Sequence, residues 1–253
     1  MAEPIATPTP DALPAPPIDS TAVARRRANA VFEVILCSSV PTQVAIGLLL
    51  RVAGWPVIDR SGQLSFNYVL AISIGDMVLL IMLMIVLMRA HGESPAALWV
   101  GSRPVRREAL IGLLLIPVVF FAVVILLNLL RLIAPGLHNV AQNPLEQLAR
   151  TPRNAMIFGA VAIFAGGVRE ELQRAFLLDR FEKHLGGPIV GFFIISIGFG
   201  LGHIVQGWDA VITTGVLGAF WAVIYLRRRS SVAPMVSHAG FNALEIVRAA
   251  AMS

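Results

Sequence analysis

The 253-residue chain is written in long apolar runs separated by short polar or charged segments. A helix that crosses a membrane needs about 20 mostly apolar residues to span a hydrocarbon core of roughly 30 Å. By that rule the first run covers residues 31–50 and is interrupted by Pro41, the second covers 66–88 and the third 110–133. The fourth begins near residue 155 and continues through a charged segment to about 184, and three more cover 188–204, 210–226 and 232–249. The pattern predicts an all-α membrane protein, a polytopic bundle of about seven transmembrane helices.

Ahead of the first run, Pro, Ala, Thr and Asp dominate a stretch that cannot bury enough apolar surface to offset its ordering entropy. Residues 1–28 are therefore expected to be a disordered, Pro/Ala-rich cytoplasmic tail, and residues 29–253 the membrane domain. Arg25, Arg26 and Arg27 followed by an apolar run imitate a secretory signal, but the run is too long and no small-residue cleavage site follows it. With the N-terminus inside, the cytoplasmic segments hold Arg25 to Arg27, then Arg89, Arg103, Arg106 and Arg107, then Arg180 and Lys183, then Arg227 to Arg229. The outer segments hold Arg51, Arg60, Arg131, Arg150 and Arg153. This bias predicts a cytoplasmic N-terminus and an external C-terminus in a bacterial-type plasma membrane. Residues 93–108 read as a short amphipathic segment on the membrane surface, anchored by Trp99.

Composition agrees: 57% of residues are hydrophobic and 14% charged, with a mean hydropathy of +0.76, against roughly 45–50% apolar residues in a soluble domain. A formal charge of +5 does not point to nucleic acid, because the arginines flank apolar runs. The lipid bilayer is the expected partner instead. Cys37 is the single cysteine, which excludes an intramolecular disulfide and a cysteine metal site and leaves a small apolar residue in a helix.

Ionisable groups within apolar helices are costly, so each asks for a partner or a purpose. Three places stand out: Gly166-Gly167-Val168-Arg169-Glu170-Glu171-Leu172-Gln173-Arg174-Ala175-Phe176, then Phe199-Gly200-Leu201-Gly202-His203, then His238-Ala239-Gly240-Phe241-Asn242. At about 1.5 Å per residue from the expected cytoplasmic turns, Glu170, His203 and His238 reach compatible depths of roughly 12–24 Å. That places them in one polar cavity on the inner half, open to the cytoplasm. His238 and Asn242 share a helix face, and Glu170 and Arg174 have the spacing to pair. The competing readings are a solvated charge cluster for Arg169, Glu170, Glu171 and Arg174, packing histidines, and an Asn242 that only bridges helices. His91, His138 and His184 fall in predicted loops and look incidental. Gly198, Gly200 and Gly202 suit close helix approach, and Asp76 in the second run has no identified partner.

The three motifs resemble those of the CPBP intramembrane proteases, which include the type II CAAX prenyl endopeptidases and bacteriocin-processing or immunity proteins. The resemblance covers residues 166–244, with Phe199/His203 and His238/Asn242 matching in order and spacing. In the first motif Arg174 follows Glu171 after two residues, where the family has three. Aligned without a gap, Glu170 takes the second Glu position and Arg169 the first; aligned on the Glu pair, the arginine is displaced by one. Glu170 is favoured as the base, with Glu171 as its substitute.

The resemblance implies a protease domain with its active site in an intramembrane cavity and no covalent intermediate. It implies a Glu, assisted by His203, that deprotonates water, His238 and Asn242 as donors to the oxyanion, and Arg174 as the group orienting the carboxylates. The substrate would be a peptide or protein, lipidated by analogy alone. No cofactor is expected: two His and a Glu are a plausible zinc set, but no His-Glu-x-x-His helix is present and the water mechanism is preferred. Two alternatives stand beside it, a catalytically silent scaffold or immunity protein of the same fold and a proton-coupled transporter. The latter would call for inverted repeats, and none is visible.

Overall fold

The computed structural model describes residues 19–252. Of the tail expected at 1–28, residues 1–18 lie outside the described residues. The remainder is helical rather than disordered, because Asp19 caps the N–H groups of Thr21 and Ala22 and starts α1, Ser20–Leu36, in a run of Ala and Arg helix formers. Ser39, in the left-handed region, breaks the helix, and α2, Val40–Val52, follows at 43° with Pro41 in its tolerant first turn.

Long apolar helices follow as α3, Phe66–Ala90, and α5, Val105–Ile133, with the one-turn α4, Pro95–Trp99, between them. The fourth predicted run is α6, Pro152–Val161, a π-helical segment Ala162–Arg169, and α7, Glu170–His184. The last three are α8, Pro188–Leu201, α9, Trp208–Arg228, and α10, Val232–Met252. All seven predicted runs are helical, but only α3, α5 and α9 are each long and apolar enough to cross a membrane, with the bent α1–α2 pair as a fourth candidate. At 14 residues α8 is about 21 Å long, short of the hydrocarbon thickness.

Large apolar side chains such as Met82, Val86, Leu114, Phe121, Ile125 and Ile197 face outward, while Glu33, Asp76, Glu108, Arg169, Glu171, Arg174 and Arg180 are buried. This distribution suits a helical membrane protein, in which lipid meets the apolar surface and each buried charge needs a partner.

The two ends of the bundle differ. At one, Arg180 joins Glu33 of α1 (2.5 Å) to Glu93 (2.6 Å), Arg228 pairs with Glu108 (2.5 Å), and Arg229 pairs with Glu182. Trp99 belongs to this end but is no surface anchor: it is buried, and its indole N–H donates to the Leu172 carbonyl (3.0 Å). Its hydrophobic body packs with Met84, Met88, Phe176 and Tyr225. Cys37 is buried in the same cluster, at the end of α1. At the opposite end, the 134–151 segment is held over α9 by Asn139, which accepts from the Trp208 N–H (3.0 Å), and by His138 on Asp209 (2.7 Å).

Candidate active site

The π-helical segment exists where Gly166 and Gly167 let α10 approach. A Cβ on Gly167 would stand 2.4 Å from the Ala239 Cα, and one on Gly166 would stand 2.6 Å from the Asn242 amide nitrogen. That nitrogen donates to the Ala162 carbonyl (2.9 Å), satisfying a backbone group the wide turn leaves available. The close approach brings His238 and Asn242 beside the start of α7, where the two glutamates sit in its first turn.

The glutamates point to different surroundings. Glu171 is buried to 1% exposure and receives Arg174 through Nε (3.1 Å) and Nη2 (3.2 Å), and His238 through Nδ1 (2.9 Å). Arg174 thus pairs with Glu171 at three residues' separation rather than with Glu170 at four, since both spacings share a helix face. Its guanidinium also lies 4.5 Å over the Phe199 ring. Glu170 is 19% exposed, lines the cavity, and lies 3.8 Å from His238 Nε2. His238 therefore stands between the two carboxylates, and Trp221 stacks on its ring with centroids 3.8 Å apart.

Behind Glu170, Arg169 reaches Asp76 (3.5 Å), Glu170 (3.5 Å), Ser39 Oγ (3.0 Å) and Gln173 (2.8 Å). Asp76 also accepts from Thr42. The unexplained acid of the second run is the counter-ion of Arg169.

His203 follows α8, and its Nδ1–H donates to the Phe199 carbonyl (2.9 Å), leaving the Nε2 lone pair as an acceptor. Glu170, His203, His238 and Asn242 all line one cavity of about 530 Å³, whose walls include Trp221, Phe199 and Phe241. Glu171 and Arg174 are not among its lining residues. The cavity runs to Gln142, Asn143, Gln206 and Glu245, at the end opposite Arg180 and Arg228. The expectation of a cavity open toward the arginine-rich end is thus corrected: next to His238 that end is filled by fully buried Ser230, Ser231, Ala233 and Ser237.

Sequence reasoning missed Trp221, whose contact with His238 depends on how two helices pack, and treated His91 and His138 as incidental. His91 binds Glu33 (2.5 Å) and His138 binds Asp209. Of the three glycines assigned to close approach, Gly200 meets Val211 and Gly215, whereas Gly198 has open space around it.

Glu171 accepts from both His238 Nδ1 and Arg174, and among the described residues no three His, Cys, Asp or Glu side chains are grouped so as to hold a metal ion.

A carboxylate, two imidazoles and a carboxamide thus line one cavity within an apolar helical bundle. Residues 152–244 match the family described as Type II CAAX prenyl endopeptidase Rce1-like. The match contains all three motifs and agrees with the CPBP resemblance; over this segment the chain is similar to CAAX-type membrane proteases. No curated protein and no solved structure matches the chain.

Proposed function

We propose that the protein is an intramembrane endopeptidase that hydrolyses a peptide bond with an activated water. The observation that carries this reading is the convergence of Glu170, His203, His238 and Asn242 on one cavity. Glu170 is the base, because it faces the cavity while Glu171 is enclosed by Arg174 and His238. Glu170, with the open Nε2 of His203, takes a proton as the water oxygen bonds to the scissile carbonyl carbon. The carbonyl oxygen becomes an oxyanion that accepts from Asn242 and His238, and collapse returns the proton to the departing amine nitrogen. Because His238 Nδ1–H is given to Glu171, a donating Nε2 requires the imidazolium form. Arg174 acts as a positioning residue through Glu171.

In this reading all seven helical runs cross the membrane and the N-terminus is cytoplasmic. The substrate is a peptide or protein, with C-terminal processing of CAAX type the nearest analogy. The test is cleavage of quenched fluorescent peptides, prenylated and unprenylated, by purified wild type, Glu170→Gln and His203→Ala, with and without chelator. Cleavage that survives chelator and disappears in both variants supports the proposal. Folded wild type that cleaves nothing favours a silent scaffold instead.

A further inference from the structure

We infer that Asp76, acting through Arg169, is a positioning residue for the base Glu170: it holds the guanidinium at a distance from which it orients the carboxylate without occupying its lone pairs. The role of Glu170 as base rests on the peptidase reading; the tether does not. Arg169 is buried, closes the π-helical segment and lines the cavity beside Glu170. Its Nη2 stands equally far, 3.5 Å, from Asp76 Oδ2 and from Glu170 Oε1. Its Nη1 donates to Ser39 Oγ (3.0 Å) and Gln173 Oε1 (2.8 Å), and Gln173 in turn donates to the Cys37 carbonyl (2.7 Å). Asp76 is buried as well, and it accepts from the Thr42 hydroxyl and from Gln43 Nε2 (3.4 Å). The break after α1, the first turn of α2 and the middle of α3 therefore converge on the residue next to the base. All three lie outside residues 152–244, the segment that matches the protease family. Val69 and Ser73, on the face of α3 that carries Asp76, belong to the wall of the same cavity.

The distances decide what the tether does. An uncontested guanidinium–carboxylate bond is about 2.7–2.9 Å long, so both contacts of Nη2 are loose and neither acid has the cation to itself. At that distance Glu170 is oriented by charge and keeps a lone pair for the proton of a water. Asp76 also supplies the counter-charge that a buried guanidinium needs. Without the charge on Asp76, the guanidinium, whose Nε–H has no partner among the described residues, is drawn onto the carboxylate still within reach, Glu170. A short pair then forms and takes up the lone pairs of the base. Removing the cation as well sets Glu170 free again.

The test compares full-length wild type, Asp76→Asn and the double variant Asp76→Asn/Arg169→Gln, purified in detergent. In the cleavage of quenched fluorescent peptides, kcat of Asp76→Asn is expected to fall about 10- to 100-fold with KM unchanged, and the double variant to recover most of that loss. A pair that served the fold alone would leave the double variant no better than the single one. A second readout needs no turnover: carbodiimide modification of Glu170, mapped by mass spectrometry with Glu170→Gln as the blank, is expected to slow in Asp76→Asn and to recover in the double variant. Wild-type kcat in Asp76→Asn, or a double variant no better than Asp76→Asn in both readouts, overturns the inference. If Asp76→Asn does not fold, Arg169→Lys carries the test, because an ammonium cannot span Ser39, Gln173 and two acids at once. Its kcat is expected to fall with KM unchanged, and wild-type kcat overturns the inference. Wild type that cleaves nothing while the modification follows the expected pattern sinks the peptidase reading and leaves the tether standing; modification of Glu170 unchanged in Asp76→Asn overturns the tether.

Discussion

Replacing each of the two adjacent glutamates separates catalysis from folding. Glu171→Ala removes the carboxylate that holds Arg174 and His238, leaving a guanidinium that is 2% exposed without its counter-ion. Removing one partner of a buried pair costs about 3–5 kcal/mol. At about 2–4 °C per kcal/mol for a chain of this size, the thermal midpoint should fall by roughly 6–20 °C. Glu170→Gln loses only looser contacts, with Arg169 at 3.5 Å and His238 at 3.8 Å, on a side chain open to the cavity. Its midpoint should stay within about 4 °C of wild type, while cleavage falls by about 10²–10⁴-fold. Both are read on the same detergent-purified samples, by thermal unfolding followed through tryptophan fluorescence and by peptide cleavage. Equal midpoints for the two variants, or an active Glu170→Gln, would refute the division of labour.

Three further outcomes are expected. Gly167→Ala sets a Cβ against the Ala239 backbone and should cost about 1–3 kcal/mol or more, whereas Gly198→Ala, with open space, should cost nothing; thermal midpoints of the pair decide. Trp221→Ala removes the ring stacked on His238 and should cost about 3–5 kcal/mol, with Trp221→Phe recovering most stability and cleavage in the same two assays. Burial works to raise the Glu93 carboxyl, but hydrogen bonds and charge from Arg180 and Lys183 outweigh it and hold it below the usual range. A carboxyl lowered on folding lends stability above its unfolded pKa, about 4.3, and loses it as pH falls through the folded value. The midpoint of wild type should therefore converge on that of Glu93→Gln as pH is taken from 7 to 3, and a constant gap would contradict the assignment.

Much of the architecture was legible because apolar helices are announced by length and apolarity alone: the runs from 31–50 to 232–249 are largely helical, the first with a break at residues 37–39. The rest turned on pairings the sequence leaves degenerate. Residue spacing let Arg174 choose Glu170 or Glu171, and only packing against α10, with His238 arriving on the same carboxylate, decided for Glu171. Asp76 and Arg169 are far apart in the chain, so their attraction had no local trace. Trp99 carried the signature of an interfacial residue, yet a carbonyl of α7 was within its reach and drew it inside. Depth could be counted along a helix, but access depends on what fills the remaining path, here Ser230, Ser231 and Ser237. The four cavity residues were all named from the sequence; that two others lie behind the wall was not.

The π-helical segment 162–169 has a consequence for how this site tolerates change in its length. One residue corresponds to about 100° of helix rotation. Deleting Val168 would not shorten a loop; it would turn α7 like a key in its lock, swinging Glu170 away from the cavity and offering a different side chain to His238. The wide turn is a rotational setting, and insertions or deletions there select which carboxylate the active face presents.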